Sequence, residues 1–298
     1  NTAGVLTNHP DINHVIPYDK KGADKIDKFI EILAELREEE YDVVFCPHRF
    51  SRSALLTYYS EAKVRIGFEI NSLSFLLTNK VKYVKDRHEI YRNLDLVKAL
   101  PGLEYDESKV SLKPALFPNR EDIVLVDHLL GLKKSNLVTL APCSRWFTKQ
   151  LTKEKSIEIV HKLLFEGYNV ALTGGNEDTL YCNELESEFK DDSLINMAGK
   201  LSPLQSFEVI KRSKALITVD SAAQHLGAAS DTPVVLIYGS TDISFGFYPL
   251  TSKYKIIENN TLDCRPCTDH GRDFCPKKHF KCIADLSTDE IVQQVKLL

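Results

Sequence analysis

The chain has 298 residues, 43% of them hydrophobic and 27% charged, with a formal net charge of -4; that is enough to bury real cores in two domains of ~100–200 residues each. Aromatics are not interleaved with basic clusters, which argues against a general nucleic-acid binder, and no apolar run approaches the ~18 residues of a membrane span. The opening Asn1-Thr2-Ala3-Gly4-Val5 is neither a signal peptide nor a lipidation signal, so the expected compartment is the cytoplasm.

In chain order, the pattern predicts a short strand at 14–18, an amphipathic helix at 26–36 and a strand at 41–46. A helix near 53–60, a strand at 65–68 and a helix at 90–100 follow. Residues 112–119 carry two prolines and read as the approach to a linker. The boundary is set between residues 133 and 134, giving domains 1–133 and 134–298. The second half is clearer. An apolar run at 137–140 ends at Ala141-Pro142, Thr152 caps a helix with Ile157, Val160, Leu163 and Leu164 on its apolar face, and Gly167 ends it. A strand at 169–173 stops at Gly174-Gly175, and a polar helix lies near 178–189. Ser202-Pro203-Leu204-Gln205 is a capping-box start with proline in the first turn. Runs at 215–219 and 234–238 read as buried parallel strands around a helix at 221–229, and Ser287 caps a last helix. Alternating strands and helices imply α/β doubly wound parallel sheets. The first domain opens on loop-like residues rather than a strand, as if incomplete at its start, because a βαβ unit needs roughly 30 residues or more.

Ligands of open α/β sheets bind beyond the carboxyl ends of the strands, and four segments of the second half fall there. Pro142-Cys143-Ser144-Arg145-Trp146-Phe147-Thr148-Lys149 offers a hydroxyl and an ammonium suited to a phosphate, or else a solvated loop lysine. Thr173-Gly174-Gly175-Asn176-Glu177 lets backbone approach a ligand and puts a carboxylate within reach of ribose hydroxyls; the plainer reading is a turn. Met197, in Asn196-Met197-Ala198-Gly199-Lys200, lies against a base or in the core. Asp220-Ser221-Ala222-Ala223-Gln224-His225 joins a strand to a helix whose free N–H groups form an anion site, with small residues leaving room for a diphosphate. The competing reading makes Asp220 and Ser221 simple caps and His225 a structural histidine. Gly239-Ser240-Thr241-Asp242 repeats a small-residue turn after the next strand.

Taken in order, Pro-x-Ser-x-Trp-x-Thr-Lys, Thr-Gly-Gly-x-Glu, Met-Ala-Gly-Lys, Asp-Ser-x-x-x-His and Gly-x-Thr-Asp resemble the lipopolysaccharide heptosyltransferases, glycosyltransferase family 9. In the first half the resemblance rests on Asn8-His9-Pro10-Asp11-Ile12, Arg65-Ile66-Gly67-Phe68 and His88-Glu89. It implies the GT-B architecture, two Rossmann-like domains facing across a cleft, with the ADP-sugar on the C-terminal domain and the acceptor on the N-terminal one. It implies an inverting, metal-independent transfer of heptose or a similar sugar onto the lipopolysaccharide inner core. Carried across, Thr148 and Lys149 contact the diphosphate, Lys149 stabilises the leaving group, Gly175 and Glu177 hold the ribose side, and Met197 lines the adenine pocket. Asp220, Ser221, Ala222 and His225 hold the phosphates and donor sugar. Arg49, Arg52, Lys63, Arg65 and His88 lie near predicted strand ends and helix starts of the first half, where some of them are expected to meet an anionic, lipid-linked core oligosaccharide, with peripheral contact at the inner membrane; the plainer reading is scattered surface charge.

The chain departs from the family at Cys143 and Ala222, where glycine is usual, and at Leu151-Thr152, where the family has Trp-Pro. The family's aspartate base, in a loop after the first strand, has no match, so the chain is expected to bind ADP or an ADP-sugar and to transfer sugar poorly or not at all. Two alternatives stand beside the enzyme: a catalytically impaired GT-B nucleotide- or glycan-binding protein, and a GT-B enzyme using another nucleotide sugar. No cofactor is expected. Cys264, Cys267, Cys275 and Cys282 are spaced compatibly with a structural zinc, which is not the favoured reading; a disulfide and free thiols are the others.

Overall fold

The structure is a computed structural model describing residues 2–19 and 24–298. It divides into two units, one of Asn1–Asn13, Lys113–Ile243 and Tyr248–Leu298, the other of His14–Leu112 and Ser244–Phe247.

The smaller unit contains β1 (Val43–Cys46), β2 (Val64–Phe68) and β3 (Asn79–Val81), paired parallel in that order. Its helices are α1 (Lys25–Glu38), α2 (Ser51–Tyr59) and α3 (Glu89–Lys98). Ile66, Phe68 and Leu96 form the core, with Val43, Val64 and Val81 packed against them. The strand expected at 14–18 does not form; residues 14–19 have no regular structure. Pro17 cannot donate to a ladder, and His14 Nδ1 instead meets Glu35 Oε1 at 3.1 Å. Residues 244–247 join this unit through the backbone: Glu89 N donates to Gly246 O at 2.9 Å and the Arg92 guanidinium to Phe245 O at 3.2 Å.

The larger unit carries α4 (Arg120–Leu130), β4 (Leu137–Ala141), α5 (Lys153–Phe165), β5 (Asn169–Leu172), α6 (Thr179–Glu186) and β6 (Leu194–Asn196). Then come α7 (Pro203–Lys211), β7 (Ala215–Val219), α8 (Ala222–Ser230), β8 (Val234–Tyr238), β9 (Tyr254–Glu258), the short α9 (Lys281–Ala284) and α10 (Thr288–Leu297). All neighbours in the sheet are parallel, in the order β6-β5-β4-β7-β8-β9. Strand order therefore reverses between β4 and β7, and that reversal opens the crevice in which doubly wound sheets bind nucleotides. Alternation sends Val138, Leu140, Ile217, Val235 and Ile237 to the face covered by α5 and α10, and Leu216, Val234, Leu236 and Tyr238 to the other. The strands are buried on both faces, which is why they read as continuous apolar runs.

The expected division between residues 133 and 134 falls inside this unit. The reason is α4, which the linker reading hid. An Asn119–Asp122 capping box starts it, and it packs Val126 and Leu130 against Leu137, Ala171 and Val209. Polar ties add to this: Gln205 Nε2 donates to Asp122 Oδ1 at 2.9 Å, and Arg212 Nε to Asp127 Oδ1 at 3.0 Å.

Candidate functional site

The Thr148-Lys149 loop leaves the carboxyl end of β4, and Asp220-Ser221 leaves that of β7, so the two flank the point where strand order reverses. Lys149 Nζ meets Asp220 Oδ2 at 2.7 Å, with the two side chains 14% and 13% exposed. Asp220 is held from two further directions: Thr241 Oγ1 donates to Oδ2 at 2.7 Å and Gln224 Nε2 to Oδ1 at 3.0 Å. Ser221 takes the N-cap position of α8 in extended conformation without a side-chain cap bond; its hydroxyl lies 3.3 Å from Thr218 Oγ1. Neither candidate cap residue satisfies the first N–H groups of α8, which leaves them as donors beside the lysine. Ala222 is exposed, and His225 is half-buried one turn further on. Two buried polar atoms near Asp220, Gln224 Oε1 and the Tyr238 hydroxyl, have no hydrogen-bond partner among the described residues, an unusual demand in a packed interior.

Thr148 is buried, and its hydroxyl donates to Ser240 Oγ at 3.0 Å while accepting from Arg272 N at 2.8 Å. It therefore fixes the loop, while Lys149 carries its charge to Asp220. The Gly174-Gly175 turn is closed by Asp178, whose Oδ2 accepts from Gly175 N at 2.8 Å; burial, only partly offset by that bond, raises the Asp178 carboxyl above its ordinary value. Glu177 is exposed, its carboxylate folded over Gly175. Gly199, at φ 72°, turns the chain so that its N–H donates to Gly174 O at 3.0 Å; a Cβ there would stand 2.3 Å from Thr179 Oγ1. Met197 is 2% exposed and packs with Leu137, Ala171 and Val209, so its side chain belongs to the core. Cys143 likewise points inward, into the main cluster, its thiol pushed up by the neighbouring Cys182 and by burial.

In the smaller unit, Arg65 and His88 are occupied by the fold. Arg65 donates to Leu76 O at 3.0 Å and Ala62 O at 2.6 Å. His88 is buried at the N-cap of α3 and accepts from Ile90 N. Arg49 and Arg52 are exposed, each guanidinium lying over a tyrosine ring, Tyr83 at 5.1 Å and Tyr18 at 5.8 Å. Exposed Lys63 pairs with Asp42.

The four C-terminal cysteines line one cavity of about 270 Å³, together with Thr148 and Ser240. All are free thiols, and among the described residues no three His, Cys, Asp or Glu side chains are gathered so as to hold a metal ion. Burial pushes Cys282 up to about 11 and raises Cys267. Burial acts on Cys275 too, but the N–H groups of Phe280, Lys277, His279 and Lys278 outweigh it and bring its thiol below the ordinary value. Thiolate fraction sets alkylation rate. Brief iodoacetamide treatment should thus label Cys275 before Cys267 and Cys282, as read by peptide mass spectrometry; Cys282 reacting first would contradict this.

Two units of parallel α/β sheet give the chain the GT-B fold of the solved structures it matches. Glycosyltransferase family 9 (heptosyltransferase) matches residues 30–278, and the chain belongs to that family. It is 27% identical to lipopolysaccharide heptosyltransferase 3 of Escherichia coli K12 over 255 residues, covering 82% of this chain and 73% of that protein. A family 9 glycosyltransferase of Veillonella parvula superposes with a TM-score of 0.82 at 19% identity, over 99% of this chain and 84% of the other. The E. coli heptosyltransferase WaaC, solved with ADP, gives 0.71 at 18% identity over 99% and 87%. The chain is therefore a glycosyltransferase, and among its described residues no helix is long and apolar enough to cross a membrane.

Proposed function

We propose that the chain transfers heptose, or a similar sugar, from an ADP-sugar to the lipopolysaccharide inner core, by an inverting displacement without a metal ion. The observation that carries this is the Lys149–Asp220 pair at the strand reversal, next to the N-terminus of α8. When the glycosidic bond breaks, negative charge grows on the leaving diphosphate. Lys149 Nζ and the free amides of α8 are preorganised cationic and dipolar groups for that charge, the role a divalent cation fills elsewhere. Support for the donor comes from WaaC, solved with ADP, and for the acceptor from the curated relatives, which act on lipopolysaccharide. On this reading Gly175 and Glu177 meet the ribose, Ser221, Ala222 and His225 the phosphates and sugar, and Arg49 and Arg52 the anionic groups of the acceptor. Met197 contributes by shaping the wall beneath the base rather than by broad contact, given its burial.

A panel of nucleotide sugars with a deacylated core acceptor, assayed with and without EDTA, tests the proposal. Slow transfer from ADP-heptose that EDTA leaves unchanged is expected. Preference for a UDP-sugar, or activity abolished by EDTA and restored by a divalent ion, would contradict it. Tight ADP binding without transfer from any donor would favour a binding protein.

A further inference from the structure

Residues 259–280, between β9 and α9, form neither helix nor strand. So long an irregular stretch inside a compact unit is uncommon and usually has a function. Here it is bound to the Thr148-Lys149 loop and to the 239–241 turn, whose Thr241 reaches Asp220. Arg265, its side chain 6% exposed, donates from Nε to Gly239 O at 2.6 Å and from one terminal nitrogen to Thr241 O at 3.2 Å. Its remaining bonds anchor it to the end of β9 and just beyond, on Glu258 Oε2 at 2.9 Å, Asn259 O at 2.9 Å and Asn260 Oδ1 at 3.3 Å. On the other loop, Thr148 N donates to Arg272 O at 3.0 Å and Ser240 N to Thr148 O at 3.3 Å, while Cys267 N donates to Ser240 O at 3.0 Å. The loops can close this far only because residue 239 is glycine: a Cβ there would stand 2.8 Å from Thr148 O.

We infer that Arg265 is a positioning residue for the donor diphosphate, acting through the 239–241 turn: it fixes the Thr241 carbonyl, the Thr241 hydroxyl orients Asp220, and Asp220 holds Lys149. A planar guanidinium with five donors in fixed directions can hold two carbonyls of one turn and a carboxylate at once, which an ammonium cannot. The inference rests on the donor reading given above. It extends that reading to a residue that stands outside every motif of the site and makes no contact with Lys149 or Asp220.

Calorimetric titration of the full chain with ADP tests the relay, using wild type, Arg265→Lys, Thr241→Val and the double variant. Thr241→Val removes the hydroxyl that reaches Asp220 but keeps the carbonyl that Arg265 holds. Each single change should weaken ADP binding by about tenfold, and the double change by no more than the worse single one, because both break one chain of contacts. Fully multiplicative losses, or a lowered Tm with unchanged ADP affinity in Arg265→Lys, would reduce Arg265 to a structural tie and overturn the inference. If Arg265→Lys does not fold, unchanged affinity in Thr241→Val overturns it equally, and about tenfold weakening there supports it. Wild type that fails to bind ADP at millimolar concentration would overturn the donor reading and this inference with it; wild-type binding with unaltered variants overturns the inference alone.

Discussion

Lys149→Ala should weaken ADP binding by about tenfold to a hundredfold, and slow transfer by at least as much. A charge-assisted hydrogen bond contributes about 1.5–3 kcal/mol, and Lys149 pairs with Asp220, the residue before the N-cap of α8. The loss has a second source. Asp220 remains fixed by Thr241 and Gln224 after the lysine is gone, so an unneutralised, largely buried carboxylate would face the incoming diphosphate. Asp220→Asn in the Lys149→Ala background should therefore recover part of the lost affinity, although Asp220→Asn alone weakens binding by loosening Lys149. Lys149→Arg keeps the charge but not the compact ammonium geometry, and should fall between wild type and alanine. Titration calorimetry with ADP at two ionic strengths reads all four. Equal affinity in wild type and Lys149→Ala would remove the lysine from the site.

Ile217→Ala should destabilise the larger unit by about 2–5 kcal/mol. Ile217 sits mid-strand in β7, fully buried, with β4 on one side and β8 on the other. Strands and helices on both faces leave the site little freedom to collapse, so the cavity term persists alongside the lost transfer free energy. Leu132→Ala is the control: Leu132 is 94% exposed, and substitutions of that kind usually stay within about 0.5 kcal/mol. Urea unfolding followed by tryptophan fluorescence at Trp146 separates the two. A change below about 1 kcal/mol for Ile217→Ala would mean that the packing around β7 is not as described.

Much of the larger unit was legible because local and global signals agree there. The runs at 137–140, 215–219 and 234–238 are apolar without interruption, as strands buried on both faces must be, and Thr152, Ser202 and Ser287 each cap the helix they precede. α4 was hidden by the prolines at 114 and 118, which mark a chain break more loudly than Asn119 and Asp122 mark a helix start; that capping box was the signal to use. β9 was hidden by Lys253 just before it and by Lys255, the exposed residue of this edge strand. At 14–18 Val15, Ile16 and Tyr18 favour a strand, but Pro17 and the His14–Glu35 contact decided otherwise.

The same division holds for the site. That Lys149 and Asp220 come together was readable because each follows the carboxyl end of a strand, and sheet topology brings strand ends together. The positions of Met197, Arg65 and His88 depend on which way a side chain turns, and packing, backbone carbonyls and a backbone N–H respectively claimed them. Thr241 was visible only as part of a small-residue turn, and Arg265 only as one charge in a cysteine-rich stretch. Their roles arise from contacts across 21 and 24–26 residues of chain that no local pattern encodes.

A structure of the chain with ADP tests the central claim most directly. The account predicts diphosphate oxygens within about 3 Å of Lys149 Nζ and of the first amides of α8, a hydrogen-bond distance for charged partners. It also predicts the ribose beside Glu177. ADP bound elsewhere, for example in the cysteine-lined cavity behind Thr148, with the Lys149–Asp220 pair undisturbed and distant, would contradict it.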